Sequence, residues 1–253
     1  MSGPRNPRPP AEWLAPIRLD ARIAVDQVIT LGDLAQKQLA FREVNVKEAF
    51  TVVDAEGTFF RASRKEPDRA LVYERMTGST ESPARITLVC AVLARQRMLV
   101  VIQKATELGC VRIVPVWSDH SVKPADLDKE KPWAWPTQAI KGAKQCRRAS
   151  VPEVLAMMPF AQAIDAPWWT RATARFSMDD RPEAGDPFEG LPREGDYVLA
   201  VGPEGGWSDR ERDALAKAGA RTLALGARVL RAETAVFAGL SIVQHRLGDL
   251  RSL

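Results

Sequence analysis

The sequence predicts an α/β protein, a parallel sheet with helices on both faces, preceded by a smaller β-rich region. Three observations carry that prediction. Short apolar runs alternate with helical periodicity from residue 85 to the C-terminus. Glycine-bearing turns close two of these runs, at 201–206 and 225–235. Strand-like pieces at 49–53 and 57–62 lie in the N-terminal part.

Residues 1–12, rich in Pro, Arg, Asn and Gly, predict a mobile tail. Residues 13–76 form the β-rich region. Gly78, Ser79, Thr80 and Ser82 mark 77–83 as an interdomain linker, and 84–253 form the larger domain. Within it, 85–93 reads as a strand, 95–108 as a helix and 111–117 as a second strand. Pro115 must then sit where no ladder N–H is needed. A helix is expected at 134–147, a short one at 160–165, a strand at 175–178 and a loop at 180–194.

The last third is the most explicit. Tyr197-Val198-Leu199-Ala200-Val201 is a buried strand by composition, and Ser208 followed by Glu211 is a capping box that starts a helix near Asp209. Gly219 stops that helix. Residues 221–225 read as another buried strand, broken by Gly226, and Glu233 or Thr234 is placed to cap a final helix through Val236, Leu240, Val243 and Leu247.

With 253 residues, 45% of them apolar, the chain is long enough for two domains with a real core. Three cysteines without paired or metal-like spacing point to a reducing compartment, and no signal peptide or membrane-spanning run is visible, which predicts a cytoplasmic protein. The net charge of +4 is unevenly spread. Residues 83–150 carry 12 Lys/Arg against 5 Asp/Glu, whereas 1–82 carry 12 against 12 and 151–253 carry 12 against 15. Lys141, Lys144 and Arg148 fall at i, i+3 and i+7 and would share a helix face, with Arg147 beside them. Such a face suits a polyanion. A solvated helix face has the same composition.

In a parallel sheet, ligands settle beyond the carboxyl ends of the strands, where loop amides and helix N-termini point outward. Both glycine turns should meet there. Gly202, Gly205, Gly206 and Gly226 let the main chain approach a ligand closely and adopt positive φ, which suits a purine held by main-chain hydrogen bonds. The first turn lacks the Gly-Lys-Ser/Thr ending of a phosphate-binding loop, and no Gly-x-Gly-x-x-Gly follows a strand, so an NTPase or dinucleotide dehydrogenase is disfavoured. His120 and His245 support no Ser/His/Asp or Cys/His site, and no metal cluster is expected. His120 lies in a polar loop, where a surface or capping role is expected.

The pair Gly202-Pro203-Glu204-Gly205-Gly206 and Leu225-Gly226-Ala227-Arg228-Val229-Leu230-Arg231-Ala232-Glu233-Thr234-Ala235 resembles the ribosomal RNA uridine N3-methyltransferase family RsmE, of the SPOUT superfamily of knotted methyltransferases. Gln103-Lys104-Ala105-Thr106-Glu107-Leu108-Gly109 and Gln145-Cys146 followed by Val151-Pro152-Glu153 are similar to two further family segments. The resemblance covers about residue 82 to the C-terminus. It implies a deep C-terminal trefoil knot, a small PUA-like β-barrel RNA-binding domain in front of it, a homodimer, a ribosomal RNA or small-subunit substrate and S-adenosylmethionine as methyl donor. Lys144 stands where the family usually has Glu, and Arg147 where it has Gly.

By that resemblance the methyl donor is held in the first turn by Leu199, Val201, Gly202, Pro203, Glu204, Gly205 and Gly206. The second contributes Leu225, Gly226, Leu230, Arg231, Thr234 and Ala235. Leu199, Leu225 and Leu230 fit a core role as well as an adenine wall. The RNA side is expected at Lys141, Lys144, Gln145, Arg147 and Arg148. For catalysis Arg231 would stabilise the charge developing on the uridine carbonyls as N3 loses its proton, and Glu233 or Glu204 would accept that proton. Each has a plainer role open to it: Glu233 as a helix cap, Glu204 as a loop clasp, Arg231 as the ion-pair partner of either. The last helix, through Val236, Phe237, Leu240, Val243 and Leu247, is a candidate dimer face or a stripe packed within its own chain.

Overall fold

A computed structural model describes residues 8–181 and 184–250, apart from the side chain of Pro124. They divide into two compact units: the chain up to Glu81 together with Ala139–Pro152, and Ser82–Gln138 together with the chain from Glu153 onward.

The first unit contains α1 (Ala11–Leu14), β1 (Ile17–Arg18), β2 (Val28–Thr30), α2 (Asp33–Phe41), β3 (Ala49–Val53), β4 (Phe59–Glu66) and β5 (Arg69–Arg75). Its sheet is mixed, in the order β1-β3-β4-β5-β2, with β1 and β3 parallel and the other pairs antiparallel. Phe50, Val52, Phe60, Ala62, Ala70 and Val72 alternate onto one face and pack with Ala35 and Leu39 of α2. The Asp54 carboxylate accepts the N–H groups of Glu56 and Thr58, which turns β3 into β4. Part of the tail expected over 1–12 is ordered. Ala11 and Glu12 are helical, and Gln38 Nε2 donates to the carbonyls of Glu12 (2.7 Å) and Ala15 (3.0 Å); residues 1–7 lie outside the described residues.

The second unit holds β6 (Ala84–Ala91), α3 (Arg95–Glu107), β7 (Arg112–Trp117) and the start of α4 (Trp135–Gln145). After Pro152 come β8 (Glu153–Val154), β9 (Met158–Pro159), α5 (Phe160–Ile164), α6 (Pro167–Thr170), β10 (Ala174–Met178) and β11 (Gly195–Val201). The chain ends with α7 (Asp209–Lys217), β12 (Ala220–Leu223) and α8 (Ala232–Leu247). The sheet runs β12-β10-β11-β6-β7-β8, with β9 on the far half of β7, and every pairing is parallel. That is why its central strands read as unbroken apolar runs. Val198 and Ala200 face a layer containing Phe160, Trp169, Trp207 and Leu215. Leu199 points the other way, toward Gly239 of α8, which packs on α3.

Pro115 lies in the gap the sequence demands. Ile113 O accepts Leu155 N on one edge of β7, and β8 and β9 pair only with residues 112–113 and 116–117. Of the apolar stripe on the last helix, Val236, Leu240, Val243 and Leu247 are buried within their own chain and Phe237 is half-buried. Among the described residues no helix is long and apolar enough to cross a membrane.

The basic helix departs from expectation. It ends at Gln145, and Arg147 adopts φ 56°, so Arg148 leaves the face that Lys141 and Lys144 share. The first unit claims this segment. Thr51 Oγ1 donates to Arg147 O (2.8 Å) and Arg42 Nη1 to Ala149 O (2.8 Å), while Lys144 pairs with Glu48 (2.7 Å). The Arg148 guanidinium, 4% exposed, pairs with Glu81 (2.6 Å). Glu81 also accepts the N–H groups of Ala149 and Ser150. Burial pushes the Glu81 carboxyl up, but Arg148 and Ser150 outweigh it and leave the group below the usual carboxylate range. Lys141, Gln145 and the Arg147 side chain stay exposed.

Candidate active site

At the carboxyl ends of β10, β11 and β12, where Met178, Val201 and Leu223 close their strands, the two glycine turns face one cleft. Val201, Gly202, Pro203, Glu204, Gly205 and Gly206 form one wall; Leu225, Gly226, Leu230 and Ala235 belong to the other. All ten were expected there. Gly206 and Gly226 take φ of 69° and 76°, the left-handed region in which a side chain is strained.

Local chemistry sets the first wall. Ser208 Oγ accepts Glu211 N (3.3 Å) and Glu211 Oε2 accepts Ser208 N (3.0 Å), completing the capping box in which α7 begins. Glu204 forms an ion pair with Arg97 of α3, in place of the backbone N–H bonds by which it was expected to hold the loop. Beneath the turn, Trp207 is buried against Phe160, with ring centroids 5.1 Å apart. Arg212 of α7 donates from Nε to Asp179 (2.8 Å), and both line the cleft. Burial pushes the Asp179 carboxyl up, but Arg212 and the Arg181 N–H outweigh it, keeping the group below its ordinary value and ionised.

The second wall is built differently. Among the described residues, the main-chain N–H and C=O groups of residues 225–230 make no hydrogen bond within the protein. They are left for a ligand or for water.

Four expected residues fall outside the lining. Arg231 is the N-cap residue of α8 and is exposed, with no side-chain cap bond, so neither Glu233 nor Thr234 caps that helix. Glu233 is half-buried, and its Oε2 has no hydrogen-bond partner. Thr234 is exposed on the first turn of α8, and Leu199 is fully buried on the side of the sheet that faces α8. Arg231 pairs with neither glutamate, since Glu204 is taken by Arg97. The lining gains Met178, Asp179, Asp180, Trp207, Arg212, Arg228, Val229 and Ala232. Met178, Asp179 and Asp180 were within reach of the sequence: Met178 ends the strand next to β11 and the two aspartates follow it, and the rule that ligands gather at strand carboxyl ends applies equally to them.

Residues 80–244 match the model of the RNA methyltransferase domain family. The chain belongs to that family. Ribosomal RNA small subunit methyltransferase E of Neisseria gonorrhoeae, solved with S-adenosyl methionine bound, is 30% identical; the match covers 94% of this chain and all of that one, with a TM-score of 0.66. A Legionella pneumophila methyltransferase solved with its cofactor SAM is 27% identical over 92% of this chain and 98% of that one (TM-score 0.64). The Synechocystis protein of the same name as the Neisseria one is 29% identical over 79% of this chain and 67% of its own length. All four family-like segments of the sequence lie within or overlap the matched region, and the cleft is formed by two of them.

Proposed function

We propose that this chain is an S-adenosylmethionine-dependent methyltransferase that methylates N3 of a uridine in 16S ribosomal RNA of the small subunit, with the cofactor in the two-turn cleft. One observation carries the reading: a main-chain-rich cleft at the strand carboxyl ends, in a chain 30% identical to a relative solved with that cofactor. The donor set fits the group. Unbonded main-chain amides and carbonyls at 225–230 suit the polar edge of a purine, and Val201, Leu225, Leu230 and Ala235 suit its faces.

The bound cofactor supplies an activated methyl group. The chain's own contribution is alignment, exclusion of water and proton handling at uridine N3. Arg231 is exposed, and its neighbours Leu230 and Ala232 line the cleft, which supports a role toward the RNA base rather than the cofactor. Its guanidinium would stabilise charge developing on the uridine carbonyls. Glu233, with an unpaired buried oxygen in the first turn of α8, is favoured over Glu204 as proton acceptor, because Glu204 is engaged by Arg97.

A C-terminal trefoil knot and a PUA-like first domain are part of the proposal. In support of the knot, β12 is an edge strand, yet the chain returns from it so that α8 packs on α3 and on the central strands β6 and β11. A homodimer, a cytoplasmic location and RNA contact at Lys141, Gln145 and Arg147 complete it. Of the two departures from the family pattern, Lys144 is spent on Glu48, whereas the Arg147 side chain is exposed toward any RNA; Arg148 is spent on Glu81.

Calorimetry should show saturable binding of S-adenosylmethionine, and nucleoside mass spectrometry of small-subunit rRNA from a deletion strain should show loss of N3-methyluridine, restored by the gene. Absence of binding would leave a noncatalytic RNA-binding factor. Normal N3-methyluridine would point to another RNA target.

A further inference from the structure

The loop after β7 lies against the first glycine turn. Asp119 N donates to Glu211 Oε1 (2.9 Å), and the Asp119 carboxylate accepts Ser208 Oγ (2.6 Å) and Arg210 Nη2 (2.7 Å). The hydrogen bond from Ser208, aided by Arg210, holds that carboxyl below its ordinary range. The next residue, His120, reaches the turn itself. Its Nδ1 lies 3.1 Å from Gly206 O, a donor distance for the Nδ1–H tautomer. A Cβ on Gly205 would stand 3.1 Å from His120 Cβ and 3.3 Å from its Cγ, closer than ordinary carbon contacts. Gly205 does not take a positive φ, so close approach by His120 is what crowds a side chain there.

We propose that His120 is a positioning residue for the methyl donor: seated on Gly205 and bonded to Gly206, it fixes the turn whose main chain lines the cleft. The claim rests on the cofactor reading above. It gives His120 a role beyond that of a polar surface residue, and it makes the loop after β7 part of the binding apparatus. No proton transfer is assigned to it.

The test compares S-adenosylmethionine affinity by calorimetry in full-length wild type, H120A, H120N, G205A, H120G and the G205A/H120G pair, with melting temperatures taken alongside. H120A should bind roughly five-fold more weakly, the equivalent of one net hydrogen bond. H120N, whose amide can donate where Nδ1 did, should recover most of that loss. G205A should also weaken binding, and the paired variant should lose less than the two single losses combined, because removing the His120 side chain makes room for the new methyl. Wild-type affinity in H120A, or additive losses in the pair, overturns the proposal while leaving the cofactor reading intact. A wild type that does not bind the cofactor overturns both.

Discussion

The two walls of the cleft are made of similar sequence, glycine-punctuated turns between a parallel strand and a helix, yet they are held in opposite ways. The first is braced from several sides: Arg97 on Glu204, His120 on Gly206, Trp207 beneath, and a capped α7 tied back to Asp179 through Arg212. The second is held at its ends. Residues 225–230 make no internal main-chain hydrogen bond among the described residues, Val229 is 86% exposed, and α8 starts without a side-chain cap. A cleft with one fixed and one unbraced wall pays most of its ordering cost in the unbraced wall when a ligand binds. The fixed wall sets where the ligand goes.

The most damaging way to break that contrast is to cut the brace of the first wall. R212A leaves the Asp179 carboxylate, 9% exposed, without its main partner. A loss of about 2 kcal/mol in urea unfolding is expected, reduced from the fully buried case because Arg212 is 26% exposed. The pH dependence gives a second readout. Asp179 has a lowered value in the folded state, so its contribution is present above the unfolded value of about 3.9 and is lost as pH falls through the folded one. In R212A the Arg212 contribution to that lowering is gone, so the loss of stability as pH falls from 6 to 3 should be shallower than in wild type. Unchanged unfolding midpoints at every pH would show that the brace carries nothing.

A smaller effect is expected in the second wall. Gly226 has φ 76° and open space where a Cβ would go, so G226A meets strain and no clash. About 1 kcal/mol of lost stability is expected in thermal or urea unfolding. A loss below about 0.3 kcal/mol would mean that the turn does not hold this conformation without ligand, which would sharpen the contrast with the first wall.

What could be read in advance follows the same division. Features set by a few adjacent residues were legible: the strand ending at Val201, the Ser208–Glu211 capping box, the Gly219 stop and the accommodation of Pro115. Features set by distant partners were not. The basic face fails at Arg148 because Arg147 turns the chain and Glu81, 67 positions earlier, captures the guanidinium. Nothing in the local pattern signals that. Arg97 and His120 were missed for the same reason, since each reaches the first turn from over 80 positions away. The caps expected from Glu233 and Thr234 fail because the helix starts one residue before Glu233, placing both inside its first turn.

Val229 gives the smallest effect on folding and the sharpest on assembly. It is the most exposed large apolar side chain among the described residues, and it sits in the unbraced wall. V229D should leave the unfolding free energy within about 0.5 kcal/mol of wild type, since the side chain is 86% exposed. Val236, Leu240, Val243 and Leu247 of α8 are buried inside their own chain while Phe237 is half-buried, and Val229 adds an exposed apolar candidate for the contact of the proposed homodimer. Sedimentation velocity should then show a wild-type dimer and a V229D population shifted toward monomer. Identical sedimentation of the two proteins would remove Val229 from any interface, leaving the second turn free to be ordered by ligand alone.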